Sequence, residues 1–175
     1  MKPLTIVLGL CLITSAAFAR TPYAGIQARP VKALSDKDIA DLKAGRGMGL
    51  ALPAELNGFP GPSHVLEHAK ALGLTAEQRQ KTSALFEEMR AEAVPVGERL
   101  IEQESELDRL FAQRQITPTS LRAATESIGA TQARLRETHL KYHLSMITVL
   151  TPVQVEKYQT LRGYRSAGGQ HQHRH

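Results

Sequence analysis

The sequence predicts an all-α protein built around a long, kinked antiparallel helical hairpin with short flanking helices. Three observations predict it. Apolar residues recur at three- and four-residue steps over two long stretches, a capping signal opens each stretch, and no stretch sustains β alternation.

In chain order, Ser35 followed by Asp38 predicts a capping box and a short helix to about Ala44. Residues 45–62 carry five glycines and three prolines and read as an irregular connector. The G-x-G-x-G at Gly45–Gly49 follows no strand, so it is not a nucleotide loop. A short helix is expected from about Ser63 to Leu72, stopped by Gly73. Thr75-Ala76-Glu77-Gln78 opens a long helix to about Arg114, with Leu85, Met89, Ala93, Val96, Leu100, Leu107 and Leu110 on one stripe. Pro95 removes one backbone bond there and predicts a kink. Gln115 and Ile116 form the turn, and Thr117-Pro118 caps the next helix, which runs to about Val149. Its stripe is Leu121, Ile128, Leu135, His139, Tyr142, Met146 and Val149. Thr151-Pro152-Val153-Gln154 starts a final helix that ends at Gly163. Two helices this thin cannot bury their stripe alone, which predicts a homodimer.

The N-terminus sets the compartment. Lys2, the apolar run Leu4–Ile13 and Ala17-Phe18-Ala19 form a secretory signal peptide over residues 1–19, cleaved after Ala19 and implying a periplasmic protein. Leu10 precedes Cys11, so no lipid anchor is expected. Cleavage removes the only cysteine, leaving no disulfide, thiolate ligand or thiol nucleophile. The formal net charge of +5 would suit nucleic acid, but export argues against it. Charge is also uneven. Residues 87–109 hold eight acidic and three basic side chains, residues 129–175 seven basic and two acidic, and an antiparallel hairpin sets these stretches against each other.

All seven histidines fall in three groups: His64 with His68, His139 with His143, and His171, His173 and His175. Each of the first two pairs stands at i, i+4, which puts two imidazoles on one helix face. The hairpin register sets residue 89 opposite 143, bringing Glu87, Glu88 and Met89 towards His139, His143 and Met146. Imidazole, carboxylate and thioether together suit nickel, cobalt, copper or zinc and not calcium or magnesium. The alternative for each residue is structural: a satisfied core histidine, or a methionine filling a core gap. The tail beyond residue 163 has no apolar pattern, is expected to be disordered, and would capture metal weakly. Catalysis finds no motif. His64-Val65-Leu66-Glu67-His68 shares only its outer histidines with a zinc-protease site, because Val65 stands where the general base belongs.

Leu74-Thr75-Ala76-Glu77-Gln78 and Leu150-Thr151-Pro152-Val153-Gln154 are two L-T-x-x-Q segments, each opening a helix. Over residues 63–163 the chain resembles the CpxP/Spy group of periplasmic stress proteins, which includes the CnrX-type heavy-metal sensors. The resemblance implies a four-helix hook, a cradle-shaped dimer and no enzyme activity. It implies either metal binding or the holding of unfolded client proteins, with an envelope-stress or metal-signalling partner also open. In the sensors' pattern His64 and His68 match the H-x-x-x-H of the first helix, and Glu87, with Glu88 beside it, is nearest to the glutamate of the second. Met146 matches the methionine of the third. Four residues before it stands Tyr142 in place of the sensors' histidine, with His143 adjacent and His139 one turn earlier. The domain plan is then a signal peptide (1–19), an N-terminal extension (20–62), the helical domain (63–163) and a His-rich tail (164–175). The expected function is sensing or buffering a divalent transition metal; the alternative is a client-binding chaperone.

Overall fold

The structure, a computed structural model, describes residues 23–165. Residues 1–19, expected to be a signal peptide, and His171, His173 and His175 lie outside the described residues. Among the described residues there is no strand. A single 3-10 turn, Ile26–Ala28, precedes seven helices: α1 (Asp36–Lys43), α2 (Leu52–Glu55), α3 (Pro62–Glu67), α4 (Ala69–Leu72), α5 (Ala76–Ala112), α6 (Pro118–Ile147) and α7 (Pro152–Leu161). None of the helices among the described residues is long and apolar enough to cross a membrane.

The helix starts follow the capping chemistry. Ser35, Thr75, Thr117 and Thr151 each accept a bond from the backbone N–H three residues on, and each third residue's side chain returns the bond. Two of the leading amides that a helix leaves unpaired are thereby satisfied at each start. α5 continues through Pro95. Both Pro95 and Ala91, whose carbonyl loses its partner, are exposed, so water can take the freed group.

Two short elements differ from the sequence reading. The stretch 45–62, expected to be irregular, contains α2, because Pro53 falls in the first turn, where its fixed φ favours a helix. The helix expected from Ser63 to Leu72 is split at His68 (φ −98°, ψ 12°). The split re-aims the chain: α3 packs on α5 and α6, whereas α4 packs on α7.

α5 and α6 form the hairpin in the expected register. Gln103 donates to Ser127 Oγ at 2.6 Å, and Tyr142 and Lys141 both bond Glu92. At the open end the two L-T-x-x-Q glutamines meet. Gln78 Nε2 donates to Gln154 Oε1 at 2.8 Å and to the Val149 carbonyl at 2.9 Å, and Gln154 Nε2 donates to Gln78 Oε1 at 3.0 Å. Each amide also closes its own capping box. A glutamate would serve the box equally well. Only an amide can both accept the cap bond and donate across, so the motif requires glutamine for the clasp between α5 and α7.

Two apolar clusters hold the body together. Val65, Ala69, Leu72, Leu74, Met146, Leu150 and Tyr158 close the open end. Leu42 of α1 joins Ala93, Leu100, Ile128 and Leu135 midway along the hairpin. The middle of the stripe, which the sequence reading left for a second copy, is therefore covered within the chain by α1. Phe111 and Leu121 near the hairpin tip, and Leu144 and Ile147 on α6, remain exposed.

Candidate functional site

Between the open half of the hairpin and the N-terminal segment lies a cleft of about 640 Å³. Met89 of α5 and His139 and His143 of α6 form its floor, loop 44–51 one wall, and His64 and Glu67 of α3 the other. The backbone closes on both imidazoles, and at Gly61 a side chain would clash with the ring. A Cβ on Gly47 would lie 3.6 Å from His139 Nδ1, and one on Gly61 would lie 2.8 Å from His143 Nε2. Gly45 and Gly49 take positive φ, and Met48 between them does so as well, at φ 46°.

The two floor histidines are buried, 2% and 7% exposed. His143 Nδ1 lies 2.6 Å from the Phe59 carbonyl. A carbonyl only accepts, so Nδ1 carries the proton and Nε2 presents a lone pair. His139 Nε2 is buried with no hydrogen-bond partner. Burial pushes the His139 pKa below its ordinary value of 6.5, with the neighbouring His143 adding to the effect. This imidazole is therefore held neutral, the state in which it can donate a lone pair.

The depressed pKa also links folding to pH. The unfolded chain takes up this proton near 6.5, the folded chain only at lower pH. The contribution is fully present above 6.5 and drains as pH falls from there towards the folded value. The metal-free protein is expected to lose thermal stability from about pH 7 downward. His139→Leu should flatten that part of the curve, and equal slopes for the two proteins would count against the linkage.

Beside His143 sits Glu55, a buried residue of α2 that sequence reasoning missed. It accepts from the Gly61 N–H at 3.2 Å, from Tyr164 Oη at 3.1 Å and from Tyr158 Oη, and Arg162 Nε lies 3.4 Å away. Its Oε2 is 3.8 Å from His143 Nδ1. The carboxylate ties α2, the turn at Gly61 and the end of α7 into one wall of the cleft. A lone glutamate in a Gly/Pro-rich stretch carries no sequence signal for this role.

The sequence model of the heavy-metal resistance family matches residues 4–157. The chain belongs to that family. No curated protein matches it, and no solved structure does. In this member of the family the residues picked from the sequence are placed unequally. His64, His139 and His143 share the cleft. His64 Nδ1 bonds Glu67 at 3.0 Å. His68 instead meets the Tyr158 ring edge-on at 6.3 Å. Met146 is wholly buried in the apolar cluster at the open end, where it fills space. Glu87 and Glu88 are exposed, Glu87 bonding Arg90 at 3.4 Å, and neither lines the cleft. Tyr142 donates to Glu92 at 2.8 Å; burial and that bond push its pKa up to about 12. Among the described residues no three histidine, cysteine, aspartate or glutamate side chains form a group that could hold a metal ion.

Proposed function

We propose that this heavy-metal resistance protein binds a transition-metal ion in the cleft, with His139 and His143 as the principal ligands, and buffers or senses that metal by binding and not by catalysis. One observation carries the reading: a buried imidazole nitrogen without a partner, His139 Nε2, one helical turn from a second imidazole whose Nε2 lone pair is set free by its Nδ1 bond. An unpaired buried polar atom is costly, and a bound cation is one partner that removes the cost. The A-x-A at Ala17–Ala19 supports a periplasmic setting, where such a protein meets incoming metal first. His64, with Glu67 at its side, stands across the cleft as a further donor. The tail histidines His171, His173 and His175 add a separate, weak capture site on this reading, and His68 takes no part.

The experiment is calorimetric titration of zinc, nickel and copper into the full chain and into His139→Leu/His143→Gln. The leucine removes an unpartnered polar group, and the glutamine keeps a donor for the Phe59 carbonyl, so the helical fold should persist. The tight equivalent should weaken by more than about 100-fold. Unchanged tight binding with intact helical circular dichroism would move the site elsewhere.

A further inference from the structure

We propose that the cleft is built for monovalent copper, with the Met48 thioether as a ligand beside Met89, His139 and His143. The proposal rests on the metal-binding reading above and names its ion.

The donor chemistry comes first. The described residues gather no three-membered group of histidine, cysteine, aspartate or glutamate, so a divalent ion finds no conventional cage here. The cleft does bring two methionines, Met48 and Met89, to the same space as His139 and His143. Thioethers are soft donors that select Cu(I). None of the four groups brings a negative charge: two are thioethers and two are imidazoles, and His143 turns its Nδ1 to the Phe59 carbonyl. A donor set without a negative charge favours a single positive charge, because each added charge on the ion raises the desolvation cost steeply. The nearby carboxylates are already engaged. Glu55 serves two tyrosine hydroxyls, a backbone N–H and Arg162, and Glu67 holds His64.

The placement of Met48 is the second observation. It sits at the cleft's rim in left-handed backbone, 41% exposed, between two glycines. A large apolar side chain in that conformation is costly and gains little burial in return. Its neighbour Gly47 lies against the His139 ring, where a Cβ would be in ordinary contact at 3.6 Å from Nδ1. The loop therefore sets Met48 one residue along the chain from the backbone that touches this imidazole, and both residues line the cleft. Met89 is 6% exposed and reaches the cleft from α5. No apolar cluster of the fold includes either methionine, whereas Met146 belongs to one.

The test is anaerobic competition for Cu(I) against bicinchoninate, run on the full chain, Met48→Leu and Met89→Leu, with Zn(II) calorimetry in parallel. Leucine matches methionine in volume, so the fold is kept. Each variant should lose at least about tenfold in Cu(I) affinity while Zn(II) binding stays the same. X-ray absorption at the copper edge should show sulfur in the first shell of the wild type and less in each variant. A nitrogen-only shell, or unchanged Cu(I) affinity in Met48→Leu, would overturn the proposal. Tight Zn(II) or Ni(II) binding at His139 and His143 without Cu(I) would overturn it and leave the metal-binding reading standing. No tight binding of any of these ions would remove both.

Discussion

Glu55→Ala is expected to destabilise the fold by about 3–5 kcal/mol, read as a shift in the urea midpoint at neutral pH. Truncation leaves several donors and a cation without their acceptor. Tyr158 is wholly buried, so its hydroxyl has no access to water as a substitute. The Gly61 N–H, Tyr164 and the partly buried Arg162 lose the same carboxylate. The cost exceeds that of one lost hydrogen bond because each stranded group keeps its desolvation penalty. Glu55→Gln retains one acceptor oxygen and the shape, and should recover part of the loss. A midpoint shift worth less than about 1 kcal/mol for the alanine variant would mean that the buried hydroxyls find other partners.

The fold was largely legible because its signals are local. Thr75 with Gln78, Thr117 and Thr151 with Gln154 fix helix starts through bonds three residues long, and the apolar stripes fix the paired faces. The hairpin register followed from one short turn, so Glu92 meets Tyr142 as the numbering requires. The N-terminal segment was not legible in the same way. Its helix α2 is four residues long, and its seat on the hairpin depends on Gly61 admitting the His143 ring, a relation between residues more than 80 apart.

At the cleft, spacing put His139 and His143 on one helix face, and both line it, but spacing could not tell which face each companion would take. Met146 shares their face by periodicity and yet turns into the apolar cluster beneath α3 and α4, because that cluster needs its volume. Glu87 and Glu88 fell opposite by register, but both side chains point to water. Glu55, Glu67 and Met48 took their places by packing of the N-terminal segment, which no short-range pattern encodes. The unpartnered nitrogen of His139 is visible only once every neighbour is in position.

Gly97→Val is expected to cost about 3 kcal/mol, although a helix-interior glycine ordinarily loses stability relative to a residue with a side chain. The reason is the seat of α1. A Cβ at Gly97 would lie 2.7 Å from the Leu42 carbonyl oxygen and 3.1 Å from its carbonyl carbon. Both are backbone atoms, so no rotamer change relieves the contact and α1 must lift away from α5. Gly129 on α6 is the internal control, since a Cβ there meets nothing within 4 Å. Gly129→Ala should stabilise by up to about 1 kcal/mol, opposite in sign. The effect of Gly97→Val should also reach the cleft. Arg46 bonds Asp41 of α1 at 2.7 Å, so lifting α1 draws on loop 44–51 and takes Gly47 off His139. Hydrogen exchange should therefore quicken across α1 and the loop while the rest of α5 and α6 stays protected. Equal and small effects at Gly97 and Gly129 would show that α1 is not seated on the hairpin in this way.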